Sequence, residues 1–205
     1  AINKLSTFTQ DPRMKHFDAV RRLMTYMVNT QGYRIKFLAS NPHSQQLEAY
    51  SDASWKSCKR TGKGQTGFFT MLFGSVVTWY SKRQSVVASS SAESEYIALS
   101  MTARDIIYLR NMLHELYDKE VATANLNVDA ASAISIAEKP GLSKKGKSIR
   151  LEYHHVKDEI LQKTIRLNWL SGDSNPADLL TKALDRGKVE KHCAFLFNIQ
   201  DRRRL

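Results

Sequence analysis

The fold is decided by residues 47–100, whose sequence is LEAYSDASWKSCKRTGKGQTGFFTMLFGSVVTWYSKRQSVVASSSAESEYIALS. The first part of this stretch predicts strands at 47–52, 67–73 and 76–80, because β-branched and aromatic residues are bounded there by glycine-containing turns. From residue 92 apolar residues recur every three or four positions to about residue 117, which indicates a long helix. We therefore expect a meander of three strands followed by a helix that packs on it.

The rest of the chain alternates short strands and helices. The predicted elements are a strand at 126–129, a helix that Pro140 and Gly141 end, a helix at about 149–163, a strand at 164–170 and a last helix from Asn175 and Pro176. Strands separated by helices pair in parallel, whereas the meander is antiparallel. The sequence therefore predicts an α/β fold, a mixed five-stranded sheet with helices on both faces.

The part of the chain before residue 46 predicts a separate unit. Apolar residues recur at helical spacing through 13–30, and the polar stretch 39–46 is typical of a linker. We place a domain boundary near residue 46. The predicted divisions are 1–45, 46–185 and 186–205, the last being a C-terminal helix with a basic tail.

The charge balance points to a phosphate-rich partner. The 205 residues include 31 Lys and Arg against 20 Asp and Glu, which gives a net charge of +11. Such an excess is expected of a protein that neutralises phosphates, although any single basic run could also be a solvated loop. The clusters are Lys56, Lys59, Arg60 and Lys63; Lys82 and Arg83; Lys144, Lys145, Lys147 and Arg150; and Arg202, Arg203 and Arg204.

Other classes of protein are disfavoured. No apolar run approaches the roughly 20 residues that span a bilayer, so we expect a soluble chain without a membrane partner. Cys58 and Cys193 are too few for a disulfide framework and lack the spacing of a zinc site, so ordinary thiols in a reducing compartment are expected. The chain lacks an initiator Met and a secretory signal, which is typical of an excised fragment.

Four acidic residues are candidates for a functional site. Asp52 and Asp129 lie in or just after predicted strands, where Asp is rare and costly to bury. The carboxyl ends of such strands collect functional residues, and Glu95 and Asp178, each in the first turn of a predicted helix, could join them there. Clustered carboxylates repel one another unless cations lie between them, and two Mg²⁺ ions about 4 Å apart would resolve this. The sequence thus suggests a two-metal site for phosphoryl chemistry.

Structural roles compete with this hypothesis for two of the four acids. Asp129 could cap the helix that follows it, and Asp178 could complement the dipole of a helix capped by Asn175. Ser90 and Glu93 form a capping-box pattern, whereas Glu95 has no such explanation.

Four ordered motifs carry a resemblance to a known family. They are Ala49-Tyr50-Ser51-Asp52-Ala53-Ser54-Trp55, Trp79-Tyr80-Ser81-Lys82-Arg83-Gln84, Ser90-Ser91-Ala92-Glu93-Ser94-Glu95-Tyr96-Ile97-Ala98-Leu99 and Ala177-Asp178-Leu179-Leu180-Thr181-Lys182. Together they resemble the ribonuclease H domain of copia-type (Pseudoviridae) LTR retrotransposon polyproteins. The segment around Pro12, His16, Arg22 and Tyr26 resembles the helix that ends the polymerase region in that family. The resemblance covers nearly the whole chain.

The resemblance implies a ribonuclease H-like fold and a specific activity. Carried over residue by residue, the metal-binding and catalytic acids fall on Asp52, Glu95, Asp129 and Asp178, so the last two have more than a capping role. The implied enzyme cuts the RNA strand of an RNA/DNA hybrid with two Mg²⁺ ions, for which Mn²⁺ can substitute. The implied partners are the hybrid and the polymerase domain of the same polyprotein, and the implied location is cytoplasmic, within virus-like particles.

The candidate residues for hybrid binding lie in or next to the second and third motifs. A ribonuclease H senses 2′-hydroxyls across the minor groove and grips phosphates with basic residues. The candidate residues are Lys82, Arg83, Gln84, Ser89, Ser90 and Ser91, with a solvated turn as the alternative for each. Trp55, Trp79 and Trp169 could stack on bases, but packing in the core is the expected use of aromatic residues in strands.

The chain departs from the family pattern at three places. Asp129-Ala130 replaces a common Asp-Asn, Lys147-Ser148-Ile149-Arg150 replaces Lys-His-Ile-Asp, and the loop 171–175 lacks the His of cellular and retroviral enzymes. His154 matches a family position and is expected to be structural. Two alternatives stay open: an inactive module of the same fold that only binds nucleic acid, and an integrase or transposase core, whose pattern of acids ends in a Glu rather than an Asp.

Overall fold

A five-stranded sheet forms the centre of the protein, in the order β3-β2-β1-β4-β5. The computed structural model describes residues 1–37, 47–118, 120–139 and 154–199. The strands are β1 (Leu47–Ser54), β2 (Gln65–Leu72), β3 (Ser75–Arg83), β4 (Ala124–Val128) and β5 (Ile165–Trp169). β1, β2 and β3 pair antiparallel, whereas β4 pairs parallel with both β1 and β5. The predicted mixed sheet is confirmed.

Helices surround this sheet. They are α1 (Ile2–Leu5), α2 (Met14–Asn29), α3 (Ser91–Tyr117), α4 (Ala131–Glu138), α5 (His155–Leu161) and α6 (Arg186–Leu196). Shorter 3₁₀ helices occur at Ser6–Phe8, Gly172–Ser174 and Pro176–Leu180.

The two faces of the sheet are covered by different helices. On one face, β1 and β4 pack against buried residues of α3, α4 and α5, including Ile106, Ile136 and Val156. On the other face, Phe69 and Met71 of β2 pack with the Pro176–Leu180 helix and with α6. Helices therefore lie on both faces, as predicted.

Helix α3 is fixed on the sheet by a polar contact as well as by its apolar side. Asp105 accepts hydrogen bonds from Thr70 of β2, at 2.7 Å, and from Thr78 of β3. Two hydroxyl groups thus satisfy a carboxylate that faces the sheet, which limits the cost of taking it out of water. The contact fixes the rotation of α3, the helix that carries Glu95 just after its first turn.

The end of the chain differs from the prediction. The helix that begins at Pro176 is a single 3₁₀ segment that stops at Leu180, and α6 starts separately at Arg186 behind the N-cap Asp185. The reason is tertiary: Thr181 and Lys182 turn their side chains toward Asp52 instead of continuing a helix.

Some predictions lie outside the described residues. These are the polar linker 39–46, the helix end at Pro140 and Gly141, the start of the helix predicted from about residue 149, and the basic clusters 144–150 and 202–204. The domain boundary near residue 46 stays a prediction.

The amphipathic helix predicted at 13–30 is present as α2, but its apolar residues are exposed. Phe17 is 59% exposed and Met24 is 61% exposed. Within the described ranges, no helix combines the length and the apolar character needed to cross a membrane.

Candidate active site

Strand pairing brings two of the predicted acids to one end of the sheet. β1 and β4 run parallel, and Ser51 of β1 is paired with Val128 of β4. Asp52 and Asp129 are the next residues on their strands, so both project from the carboxyl end of the parallel pair. This is where functional residues of open sheets meet.

The Pro176–Leu180 helix adds a third acid to this place. Asp52, Asp129 and Asp178 each offer a carboxylate oxygen, and these oxygens all lie within 4.8 Å of one another. Asp52 is fully buried, Asp178 is buried and Asp129 is half-buried. We call these three residues the acid triad.

Glu95 lies beside the triad. Its Oε2 accepts a hydrogen bond of 3.0 Å from the main-chain N of Ala53, the residue after Asp52. Burial, together with the charges of Asp52 and Asp129, raises the pKa of Glu95 to about 9. The structure therefore brings all four predicted acids into one region, with three of them close enough to share an ion and Glu95 next to them.

Burial and mutual repulsion both disfavour ionisation of these carboxylates. Burial raises the pKa of Asp52, and the charge of Asp178 adds to this effect, while a hydrogen bond from Thr181 and the charge of Lys182 oppose it. The pKa of Asp129 is also raised by burial and by Asp178. A cluster that resists ionisation in this way gains from any added positive charge.

Lys182 supplies positive charge to the triad, a role that was not predicted from the sequence. Its Nζ lies 3.0 Å from Asp52 Oδ1 and 2.6 Å from Asp178 Oδ1. Burial disfavours the ammonium, but the hydrogen bonds and charges of the two carboxylates outweigh it and raise the pKa of Lys182. The signal that could have found this residue is its spacing of four from Asp178.

Asn175 ties the Pro176–Leu180 helix to the sheet. Its buried amide donates a 2.9 Å hydrogen bond to the carbonyl of Ser51, and its Oδ1 accepts one of 3.1 Å from Ala177 N. Ser81 of β3 donates a hydrogen bond of 2.6 Å to the carbonyl of Leu180. The predicted Asn175 cap is thus present, and the same side chain also positions Asp178 over β1.

The predicted caps elsewhere have mixed outcomes. Ser90 Oγ accepts a hydrogen bond of 3.1 Å from Glu93 N, as the capping box requires. The Glu93 carboxylate bonds to the main chain and hydroxyl of Ser89 instead of to Ser90. Asp129 does not cap α4, whose N-cap is Ala130 with no side-chain hydrogen bond. This leaves the Asp129 carboxylate directed to the triad.

The acid triad fits a divalent cation. Ligand oxygens on opposite sides of one Mg²⁺ are about 4.2 Å apart, close to the spacing found here. Carboxylate oxygens are the ligands that hard cations prefer, and burial together with the charge of Asp178 raises the pKa of Asp52 and of Asp129, an effect that a bound cation would oppose. Such a site can activate water and neutralise phosphate charge.

Among the candidates for nucleic-acid binding, Lys82 can be located relative to the triad by strand pairing. Lys82 of β3 and Ala53 of β1 both pair with Thr66 of β2. They are therefore two strands, or about 10 Å, apart. Lys82 and Ser89 to Ser91 are exposed, and Arg83 is half-buried with its Nη1 3.5 Å from Cys58 Sγ. Gln84 is buried and bonds to Thr66 and Ser94, so its contact with nucleic acid stays a prediction, as do the others.

The expectations for tryptophans and His154 have separate outcomes. Trp79 and Trp169 are each 63% exposed, so the prediction that they pack in the core is wrong. Trp169 lies at the sheet edge, and its Nε1 donates a hydrogen bond of 3.2 Å to the Asp129 carbonyl. His154 Nδ1 lies 3.0 Å from the hydroxyl of Tyr96, a contact in keeping with a structural role.

This strand order, with acids at the carboxyl end of β1 and β4, defines a ribonuclease H-like domain. The chain is 31% identical over 192 residues to the retrovirus-related Pol polyprotein from transposon TNT 1-94 of Nicotiana tabacum, covering 93% of this chain and 14% of that protein. It is 29% identical over 186 residues to the polyprotein from transposon RE1 of Arabidopsis thaliana, covering 91% and 13%. Over more than nine-tenths of its length the chain is homologous to Pol polyproteins of copia-type transposons, and it spans about one seventh of their length, which confirms the predicted resemblance.

Other comparisons are more limited. The chain is 36% identical over 109 residues to secreted RxLR effector protein 161 of Plasmopara viticola, covering 53% of this chain and 75% of that protein. No family model matches the chain. The N-terminal RNase H domain of a Mycobacterium tuberculosis protein aligns with 67% of this chain and 91% of its own, at 15% identity and a TM-score of 0.45. LC11-RNase H1 in complex with an RNA/DNA hybrid aligns over 66% and 93%, at 13% identity and a TM-score of 0.47.

Proposed function

We propose that this chain is an endoribonuclease that hydrolyses the RNA strand of an RNA/DNA hybrid during reverse transcription of a retrotransposon. The observation that carries the proposal is the convergence of Asp52, Asp129 and Asp178 within 4.8 Å, with Glu95 beside them, in a chain of this family. Bound Mg²⁺ ions, or Mn²⁺ in their place, supply water activation and charge neutralisation for phosphodiester hydrolysis.

Hydrogen bonds from neighbouring residues orient the proposed metal ligands. The four acids are the proposed ligands of two ions and the proposed catalytic residues. The hydroxyl of Thr181 orients Asp52, and the main-chain N–H of Ala53 orients Glu95. Because these donors are fixed by the fold, the carboxylates keep their directions while the charge at the site changes. The expected product carries a 5′ phosphate.

The proposed substrate contacts are those of Lys82 and Arg83 with phosphates of one strand and of Ser89 to Ser91 with the 2′-hydroxyls and sugars of the other. Gln84 is a further candidate, whose amide is buried and bonded to Thr66 and Ser94 in the free protein. Because such contacts address the backbone, weak sequence preference follows. The polymerase region of the same polyprotein is the proposed covalent partner, and cytoplasmic virus-like particles are the proposed location, since the relatives are Pol polyproteins.

Substitution of Asp52 tests the proposal. Asp52→Asn keeps the shape of the side chain and removes its charge, so we expect loss of RNA cleavage in Mg²⁺ with hybrid binding retained. Asp118→Asn is the matched control, because Asp118 is exposed and caps the end of α3 that lies far from Glu95. The assay follows labelled RNA in a hybrid, with RNA/RNA duplex and EDTA as controls.

Two results would contradict the assignment. Cleavage by Asp52→Asn at the parental rate would remove Asp52 from the site. Binding of the hybrid by the parent protein without any cleavage in Mg²⁺ or Mn²⁺ would favour the alternative of an inactive nucleic-acid-binding module.

A further inference from the structure

Lys182 places an ammonium group inside the proposed metal site. Its Nζ lies 3.0 Å from Asp52 Oδ1 and 2.6 Å from Asp178 Oδ1. Both are distances of charge-assisted hydrogen bonds, and both acceptors belong to the acid triad. The ammonium thus holds carboxylates that a divalent cation would need.

The charge of Lys182 reaches the remaining acids as well. It acts favourably on the carboxylates of Glu95 and Asp129. One positive charge therefore serves four carboxylates, whose full ionisation would leave three negative charges uncompensated. Two divalent cations would compensate all four without Lys182, so the ammonium is in excess once they bind.

The Lys182 ammonium can move away from the carboxylates while the main chain of Lys182 stays in place. Its main-chain N donates a hydrogen bond of 2.9 Å to the carbonyl of Asp178, which fixes its Cα one turn after that acid. Its side chain is 38% exposed, so the four-carbon stem has a path to solvent. The backbone can stay in place while the head group moves.

We propose that Lys182 is an exchangeable counter-ion: it neutralises the acid triad when divalent cations are absent and leaves Asp52 and Asp178 when they bind. The proposal rests on the proposed function in assigning the triad to divalent cations. A carboxylate oxygen bonded to Mg²⁺ at about 2.1 Å while it accepts the ammonium would hold the two cations within roughly 5 Å of each other. Their repulsion makes the two occupants compete, so Lys182 sets the concentration at which the site fills.

Substitution of Lys182 by an uncharged residue tests the exchange. Lys182→Met retains most of the stem and removes the charge. Lys163→Met is the matched control, because Lys163 is an exposed lysine that precedes β5, at the opposite end of the sheet from the triad. Mn²⁺ binding is measured by titration calorimetry without nucleic acid, and the melting temperature is measured in EDTA.

For Lys182→Met we expect a lower melting temperature in EDTA and Mn²⁺ binding about tenfold tighter than in the parent, the scale on which neighbours of metal ligands change affinity. Lys163→Met should leave the Mn²⁺ affinity at the parental value. Unchanged or weaker Mn²⁺ binding by Lys182→Met, or no binding by either protein, overturns the proposal.

A second measurement uses the unsubstituted protein and covers the case in which Lys182→Met does not fold. The ¹⁵N resonance of the Lys182 ammonium is followed by NMR during titration with Mg²⁺. We expect the resonance to move to the position of a solvent-exposed lysine as the site fills, and a resonance unchanged at saturating Mg²⁺ overturns the exchange. Neither readout uses cleavage: a parent that binds Mn²⁺ but cuts no hybrid refutes the proposed function and leaves the exchange standing.

Discussion

Gly67 lies where the segment after Asp178 approaches β2 most closely. It is paired with Asp52 across the sheet, and a Cβ added to it would lie 2.6 Å from both Leu180 Cβ and Thr181 Cγ2. Since neither atom is the far end of a flexible side chain, the segment itself must shift. We expect Gly67→Ala to lower the free energy of unfolding by about 1–3 kcal/mol, as overpacking does, and to weaken Mn²⁺ binding by displacing Asp178. Denaturant unfolding and titration calorimetry measure the two effects.

A second glycine provides the comparison. A Cβ on Gly32 would meet no atom within 4 Å, so Gly32→Ala should change both the stability and the Mn²⁺ affinity little. A Gly67→Ala protein with parental stability would show that the approach of Leu180 to β2 is looser than described.

The sequence identified the acids at the scale of single residues but not the groups that hold them. Asp52 and Asp178 stand in recognisable motifs, whereas the contact of Lys182 with Asp52 joins residues 130 positions apart. Cys58 is a similar case, since it was expected to be an ordinary thiol. Hydrogen bonds from Thr61, followed by one from Arg83, lower its pKa to about 6. Such effects depend on tertiary neighbours, which no local pattern encodes.

At the scale of secondary structure, the start of α3 positions Glu95. Ser90 is the N-cap, and its hydroxyl accepts the hydrogen bond from Glu93 N. Ser90→Ala removes this acceptor, so we expect the free energy of unfolding to fall by about 1 kcal/mol. Ser90→Asp distinguishes the capping role of Ser90 from its proposed contact with the hybrid. Asp caps a helix as well as Ser does, but its negative charge repels phosphate. We expect Ser90→Asp to keep the parental stability and to bind the hybrid more weakly.

Thermal unfolding and hybrid binding by fluorescence anisotropy distinguish the two roles. Parental hybrid affinity in Ser90→Asp would remove Ser90 from the proposed interface while leaving its capping role intact.

Periodicity predicted the elements that bury one face. The spacing of apolar residues predicted α3, and the alternation of strands and helices predicted the order of β1 to β5. It failed after Asn175, where the pattern indicated an α-helix and the chain forms a short 3₁₀ helix, whereas α6 begins at Arg186, where a C-terminal helix was predicted. Contacts of Leu180 with β3, and of Thr181 and Lys182 with Asp52 of β1, end that 3₁₀ helix, and they are decided by the fold and not by local propensity.

For the whole molecule, a buried cluster of acids lies at one end of the sheet, and basic groups are exposed beside it. The net charge is +11, yet the carboxyl end of β1 and β4 gathers four acids. The loop after β1 carries exposed Lys56, Lys59 and Arg60, and the end of β3 carries Lys82. The sequence predicted both the excess charge and the acids, but only strand pairing shows that they share one end of the sheet. A polyanion held by the basic groups therefore passes near the acids.

This arrangement predicts a strong dependence of hybrid binding on salt. If about four phosphates are neutralised by the basic residues beside the triad, the logarithm of the affinity falls with the logarithm of the salt concentration with a slope of about −4. Between about 50 and 200 mM salt the affinity should then drop by roughly two orders of magnitude.

Lys82→Ala should reduce the slope by about 1, as expected for the loss of one phosphate contact. Lys15→Ala on α2 removes an exposed charge away from the acids and should leave the slope unchanged. Affinities measured in EDTA keep cleavage from interfering, and equal slopes for Lys82→Ala and the parent would exclude Lys82 from the phosphate contacts.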